Sequence, residues 1–81
     1  GVAVCGTGIG ISIAANRHQG ARAALVHDDF TAKMSREHND ANILALGART
    51  VAEDAARGLL KTFFSTEFDG GRHARRVEKL G

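Results

Sequence analysis

The sequence predicts an α/β fold in which a parallel β-sheet lies between two layers of helices. Short apolar segments alternate with segments of helical periodicity along the chain, which is the pattern of repeated βαβ units. The predicted strands are apolar on both faces, as expected for strands that helices cover on both sides. The 81 residues contain no proline, internal repeat or linker-like tract, so residues 1–81 are predicted to form a single domain.

The predicted order of elements is strand, helix, strand, helix, strand, helix, helix. The predicted strands are residues 1–5, 21–26 and 42–46. The predicted helices, which have apolar residues at helical spacing and flanking caps or glycines, are residues 9–18, 29–37, 51–64 and 72–80. Three strands are few for a Rossmann-like sheet, so we expect a partial sheet that another segment or another chain completes.

Two of the predicted helices begin with capping signals. Asp28 or Asp29 can cap the second helix with its carboxylate. Thr50 followed by Glu53 has the spacing of a capping box, which predicts that the third helix begins at Val51. The aromatic residues assigned to the core are Phe30, Phe63, Phe64 and Phe68.

Composition narrows the class of protein and its partners. The chain is 43% hydrophobic and 25% charged, as in ordinary globular domains, and its net charge of +2 is too small to imply a polyanionic partner. No apolar run approaches the roughly 20 residues of a membrane span. A single cysteine excludes an internal disulfide framework and fits a reducing cytoplasm. That cysteine and the scattered histidines lack zinc-ligand spacing, so neither a metal, a membrane nor a nucleic-acid partner is expected.

The glycine-rich segment from Cys5 to Gly10 is the strongest functional signal. It joins the first strand to the first helix, where glycines allow several backbone N–H groups to face one anion. Cys5 ends a parallel strand, at the sheet edge where α/β proteins place their ligands. The helix N-terminus should favour its thiolate, the form that acts as a nucleophile or a base.

Other interpretations of this segment stay open. A dinucleotide-binding turn requires the spacing G-x-G-x-x-G, and Gly10 comes one position early, although Asp28 falls where the ribose-binding acid would lie. The glycines could serve only tight packing, and Cys5 could be an inert thiol, since free cysteines are usually buried small hydrophobes.

The polar triplet from His38 to Asp40 is the second cluster. Together with Cys5 these residues suggest a thiol hydrolase triad, but in a parallel sheet Cys5 lies at the carboxyl edge and His38 at the amino edge. A five-residue strand separates those edges by about 16 Å. If both residues serve one site, two subunits must supply them, so the topology predicts a dimer.

Arg72 and Arg76 are the third candidate pair. They are four residues apart and share one face of the last predicted helix. Two neighbouring guanidinium groups suit a phosphate, while the alternative is a solvated basic helix.

Three segments together resemble the type B ribose-5-phosphate isomerases, a family that includes the galactose-6-phosphate and allose-6-phosphate isomerases. The segments are CGTGIGISIAAN at residues 5–16, SREHNDAN at 35–42 and GGRHARRV at 70–77. The resemblance runs in order over essentially the whole chain. Proteins of the family carry an N-terminal strand–helix–strand portion with an Asp-His pair, so the sequence corresponds to the C-terminal part of such a domain.

The resemblance implies an aldose–ketose isomerase, with ribose 5-phosphate and ribulose 5-phosphate interconverted through an enediolate. It makes Cys5 the base that moves the proton between C1 and C2, and Thr7 its assistant at the substrate oxygens. The backbone N–H groups implied to hold the enediolate are those of Gly6, Thr7, Gly8, Ile9 and Gly10.

The resemblance implies that His38 comes from the partner subunit, where it would open the sugar ring as an acid or a base with Asn39 beside it. Arg72 and Arg76 would bind the phosphate. A homodimer or tetramer with shared sites, no cofactor and a cytoplasmic location are implied. The alternatives are a non-catalytic nucleotide- or phosphate-binding module, or a fragment that is inactive by itself.

Overall fold

The computed structural model describes residues 1–80 and confirms the α/β class. The strands are β1 (Val2–Cys5), β2 (Ala23–Leu25) and β3 (Ile43–Gly47), which form one parallel sheet in the order β1-β3-β2. The helices are α1 (Ile9–Asn16), α2 (Asp29–Glu37), α3 (Glu53–Ser65) and α4 (Arg72–Glu78). Among the described residues no helix is long and apolar enough to cross a membrane.

The strand order places α1 and α2 on opposite faces of the sheet. The chain crosses from β1 past β3 to β2 and then returns to β3, and right-handed crossovers in opposite directions fall on opposite faces. The helix α1 packs on all three strands, while α3 packs on β3 and on α2. The sheet therefore lies between helical layers, with β3 at its centre.

The core is built around β3 because its side chains are apolar on both faces. Leu44 and Ala45 are fully buried, whereas Val2 and Val4 of the edge strand β1 are 46% and 56% exposed. The buried residues that form the core cluster are Val26, Ala32, Ala41, Leu44, Leu46, Leu59 and Phe63.

The prediction that all four phenylalanines belong to the core is wrong for two of them. Phe63 is buried and Phe68 is partly buried, but Phe30 and Phe64 are 70% and 66% exposed. Phe64 follows Phe63 in α3 and lies about 100° further round the helix, on its outer side. Phe30 lies in the first turn of α2, also on its outer side.

One of the two capping predictions is confirmed and the other is wrong. Asp28 caps α2 reciprocally with Thr31, whose N–H donates to the Asp28 carboxylate at 2.7 Å. In contrast, α3 begins at Glu53 and its N-cap, Ala52, has no side-chain cap. The hydroxyl of Thr50 instead donates to the carbonyl of Gly47 at 3.2 Å, which closes the turn after β3.

Two asparagines tie the start of β2 and the segment before it to the rest of the domain. The carboxamide of Asn16 accepts from the N–H of Ala23 at 2.7 Å and donates to its carbonyl at 2.9 Å. The side chain of Asn42 bridges the backbones of Gly20 and Arg22 at 2.8 Å each. These bonds occupy backbone groups of an edge strand. The helix α1 ends at Asn16, two residues earlier than predicted.

Candidate functional site

The Cys5 thiol lies against the glycine turn at the carboxyl edge of the sheet. The N–H of Gly8 donates to its sulfur at 3.2 Å. The backbone N–H of Ile11 lowers the pKa of the Cys5 thiol the most, and those of Gly8, Thr7 and Gly10 lower it further, against the opposing effect of partial burial. The turn therefore favours a thiolate, because its N–H groups stabilise negative charge on the sulfur.

Two glycines allow this turn to pack directly on the end of β3. Gly8 has a φ of +81°, and a Cβ there would lie 2.5 Å from Cδ1 of Leu25 and 2.9 Å from the carbonyl carbon of Leu46. A Cβ on Gly47 would lie 2.5 Å from the backbone of Thr7. A Cβ on Gly10 would meet open space, so the third glycine is not required by packing.

A cavity of about 410 Å³ opens beside the turn, between the ends of the three strands. Its lining includes Thr7, Ile9, Leu25, His27 and Thr50. The Thr7 hydroxyl oxygen accepts from the N–H of Ile9 at 3.3 Å, so this N–H is engaged within the turn. The cavity thus combines apolar walls with hydroxyl and imidazole groups, as small-molecule sites do.

Arg49 lies over the turn and was missed by the sequence analysis. Its N–H donates to the carbonyl of Gly6 at 2.8 Å, and its guanidinium Nε would be 3.5 Å from a Cβ on Gly6. The cation therefore reinforces the attraction of the turn for an anion. The signal was present, because Arg49 follows the third predicted strand at the edge that Cys5 occupies.

Asp28, the candidate ribose-binding acid of the dinucleotide interpretation, is occupied in capping α2. It accepts from the N–H of Thr31 and from its hydroxyl at 2.8 Å. The N–H of Thr31 lowers the pKa of the Asp28 carboxyl the most, followed by the hydroxyl of Thr31. With this acid engaged and Gly10 out of register, the turn lacks two features of a dinucleotide site.

His38 lies at the other end of the sheet from Cys5. It is the C-cap of α2, where its N–H donates to the carbonyl of Met34 at 2.9 Å, and α2 runs from the carboxyl edge back to the amino edge. The parallel register pairs Cys5 with Gly47 at the opposite end of β3. The structure therefore does not bring Cys5, His38 and Asp40 together within one chain.

The residues predicted for the second half of the site lie together. The His38 ring stacks on His73 of α4, with 4.2 Å between centroids and an angle of 13° between planes. Partial burial lowers the pKa of His73 the most, the charges of His38, Arg72 and Arg76 lower it further, and Asp69 opposes them. Arg72 and Arg76 are exposed on the same short helix, and Asn39 follows His38 and is exposed. The sequence analysis missed His73, although it lies within the third motif.

A further grouping at this end was not visible from sequence spacing. Glu37, His38 and Asp69 each offer a ligand atom, and these atoms lie within 4.8 Å of one another. The N–H of Asp69 donates to the carbonyl of Glu37 at 3.1 Å, which joins the segment before α4 to the end of α2. Asp69 is exposed, and exposed acidic groups often lie together without an ion.

The chain is a parallel α/β domain with a turn of backbone N–H groups around Cys5 at the carboxyl edge of its sheet. A protein-family profile described as Ribose/Galactose Isomerase matches residues 1–80, so the chain belongs to that family. This confirms the resemblance seen in the three motifs.

Similar proteins include curated isomerases and a solved structure. Ribose-5-phosphate isomerase B of Escherichia coli is 44% identical over 80 residues, which are 99% of this chain and 54% of that protein. D-erythrulose-4-phosphate isomerase of Pectobacterium atrosepticum is 43% identical over 81 residues, 100% of this chain and 53% of that protein. The structure of ribose 5-phosphate isomerase B from Anaplasma phagocytophilum is similar with a TM-score of 0.98 and 60% identity, covering 100% of this chain and 56% of that one. The chain spans about half the length of the curated relatives it matches.

Proposed function

We propose that this protein is an aldose–ketose isomerase of phosphorylated sugars that converts ribose 5-phosphate to ribulose 5-phosphate. The observation that carries the proposal is the Cys5 thiol at the carboxyl edge of the sheet, surrounded by backbone N–H groups that favour its thiolate. A thiolate in this position is a base, and the N–H groups beside it are suited to an oxyanion that forms during the reaction.

In the proposed reaction the Cys5 thiolate takes the proton from C2 of the open-chain aldose. The electron pair of that C–H bond moves through C1 to the carbonyl oxygen O1, which becomes an enediolate oxygen near the N–H groups of the turn. The Thr7 hydroxyl relays a proton from O2 to O1. The Cys5 thiol then returns its proton to C1, and O2 becomes the carbonyl oxygen of the ketose.

The proposed site is shared between two copies of the chain in a homodimer or a tetramer. The separation of Cys5 and His38 along the sheet supports this arrangement, because one small sugar cannot reach both in one subunit. In the shared site His38 accepts the proton of the anomeric hydroxyl, the bond between C1 and the ring oxygen breaks as the C1 carbonyl forms, and the ring oxygen takes a proton from water. Asn39 lies beside His38. Arg72 and Arg76 bind the phosphate through their guanidinium groups. No cofactor, nucleic acid or membrane takes part in this proposal, and a cytoplasmic location accompanies it.

The proposal is tested by following the C1 and C2 protons of the two sugar phosphates by NMR in deuterated water. We expect solvent deuterium to appear at these carbons with the wild-type protein. The rate should fall at least about 100-fold in Cys5→Ala and in Cys5→Ser, whose hydroxyl is a far weaker acid. Lys61→Ala, at an exposed position of α3, is the matched control and should keep the wild-type rate.

The other outcomes identify the alternatives. Wild-type exchange that persists in Cys5→Ala would exclude Cys5 as the base. Binding of the sugar phosphate without exchange would indicate a phosphate-binding module. If residues 1–81 become active only together with a longer stretch of the protein, they are an inactive fragment by themselves. Binding of a dinucleotide would support the interpretation of the glycine turn as a dinucleotide site.

A further inference from the structure

The loop between α2 and β3 is held by an ion-pair network centred on Asp40. Nη1 of Arg36 donates to one carboxylate oxygen of Asp40 at 2.9 Å, and Nη2 of Arg22 lies 3.4 Å from the other. The three side chains are only 21% to 33% exposed, so water screens these pairs less than it screens a fully exposed pair. Both oxygens of one carboxylate are therefore engaged by two separate arginines.

The same two arginines also hold the backbone carbonyls of Asp40 and of the residue that follows it. Nε of Arg22 donates to the carbonyl of Asp40 at 2.8 Å, and Nη1 of Arg36 donates to the carbonyl of Ala41 at 2.7 Å. Nε of Arg36 reaches the carbonyl of Thr66, beyond α3, at 3.1 Å. The network therefore connects the loop to the start of β2, to α2 and to the end of α3.

Asp40 adopts a backbone conformation that few non-glycine residues use. Its φ of +46° makes it the single non-glycine residue with positive φ among residues 1–80. The N–H of Asp40 donates to the carbonyl of Arg36 at 3.3 Å, and the N–H of Ala41 donates to that of Ser35 at 2.9 Å. These bonds form the left-handed cap that ends α2, a position that usually takes glycine or asparagine. An aspartate there suggests a role for the charge as well as for the turn.

His38 lies inside this cap, two residues before Asp40. Its N–H donates to the carbonyl of Met34 at the end of α2, and its ring stacks on His73 of α4. Because α4 also carries Arg72 and Arg76, the cap sets the position of His38 relative to both arginines.

We propose that Asp40 is a positioning residue that holds the α2 cap between Arg22 and Arg36 and thereby keeps His38 stacked on His73. Its effect on catalysis rests on the proposed function, since His38 is the proposed ring-opening group. The structural effect does not depend on that function and can be measured without any substrate.

The structural test measures the ring-proton shifts of His38 and His73 by NMR in wild type and in Asp40→Asn. Asparagine accepts the left-handed conformation and nearly preserves the side-chain shape, but it removes the charge. We expect the ring-current shifts of the stacked pair to disappear. The pKa of His73 should return toward its ordinary value as its burial and its proximity to His38 are lost, while Arg72, Arg76 and Asp69 remain on its own segment.

The matched control is Glu53→Gln, which removes an ion pair with Arg57 on the exposed side of α3 and should leave both histidines unchanged. Stacked-ring shifts that persist in a folded Asp40→Asn would overturn the proposal. If Asp40→Asn does not fold, the same readout in Arg22→Lys decides. This variant keeps the charge and loses the Nε bond to the Asp40 carbonyl, so intact stacking in it would also overturn the proposal.

The catalytic test compares a substrate that forms a ring with one that cannot. Ribose 5-phosphate must be opened, whereas the four-carbon aldose erythrose 4-phosphate has no free hydroxyl placed to close a five-membered ring. We expect Asp40→Asn to lower kcat/KM for ribose 5-phosphate about 10- to 100-fold, the scale of a misplaced catalytic group, and to change kcat/KM for erythrose 4-phosphate much less. Equal losses with both aldoses would count against positioning through His38. Failure of the proposed function would instead leave the wild type inactive while the NMR test still decides the role of Asp40.

Discussion

Replacing Gly8 by alanine should destabilise the protein and dismantle the thiolate site, while the same change at Gly10 should do neither. The two glycines belong to the same motif and are two residues apart. The structure nevertheless gives them different surroundings. A Cβ on Gly8 would meet Cδ1 of Leu25 at 2.5 Å and the backbone of Leu46 at 2.9 Å, whereas a Cβ on Gly10 would meet nothing within 4 Å.

The magnitude follows from two separate costs. The φ of +81° at Gly8 lies in the left-handed region, which costs an alanine about 1–2 kcal/mol. Overpacking of the Cβ against atoms that include rigid backbone adds about 1–3 kcal/mol. The expected loss for Gly8→Ala is therefore about 2–5 kcal/mol. Gly10 lies in α1 with open space around it, so alanine there should stabilise the helix by up to about 1 kcal/mol.

Two assays check this prediction. Urea denaturation measures the free energy of unfolding of both variants, and the pH dependence of iodoacetamide alkylation measures the pKa of Cys5. In Gly8→Ala the displaced turn should move its N–H groups away from the sulfur, so the pKa of Cys5 should rise toward its ordinary value. Gly10→Ala should keep the low pKa. A stable Gly8→Ala with unchanged alkylation would refute the argument that this glycine creates the site.

Three further predictions concern the two halves of the candidate site. In wild type, the alkylation rate of Cys5 should rise at a lower pH than for an ordinary thiol. Ile11→Pro removes the N–H that lowers the pKa of Cys5 most, so it should shift the midpoint of the pH–rate curve upward. A midpoint in wild type at the pH of an ordinary thiol would contradict the thiolate site. A mixture of Cys5→Ala and His38→Ala subunits should regain about a quarter of the wild-type rate of proton exchange, because about half of randomly paired dimers are heterodimers and each of these holds one intact site out of two. Inactivity of verified heterodimers would refute a shared site. The pKa of His73 is lowered on folding, so the unfolded state binds its proton more readily, and the free energy of unfolding should fall as the pH drops below about 6.5. In urea denaturation at several pH values, His73→Gln should flatten this dependence of stability on pH. An unchanged slope would contradict the lowered pKa.

The alternation of apolar and helical segments predicted every strand and helix of the described chain, because each element is marked by its own local pattern. The errors occur where residue spacing does not specify the contacts that a side chain makes. Thr50 looked like a helix cap but bonds to Gly47 instead. The outward direction of Phe64 follows from how α3 rests on β3 and α2, and the periodicity alone does not specify it.

The candidate site was likewise predictable from the sequence only in part. Cys5, the glycines and the arginines of α4 stand out by residue type and spacing. The positions of Arg49 and His73 depend on the strand order and on the docking of α4, which no local pattern reports. The strand order β1-β3-β2 is itself a tertiary property, and it brings the end of β3 directly beside Cys5.

The parallel sheet makes a second copy of the chain necessary to the proposed mechanism. Cys5 and His38 are held at opposite edges by β1 and by α2, and the intervening β3 spans about 16 Å. Neither group can approach the other by a rotamer change, because His38 is fixed by a helix cap and Cys5 by a strand and a packed turn. A two-fold axis that sets the carboxyl edge of one subunit against the amino edge of its partner satisfies both positions at once, and it does so twice. The distance between the two half-sites within one chain is therefore the physical reason to expect pairs of sites in the assembled protein.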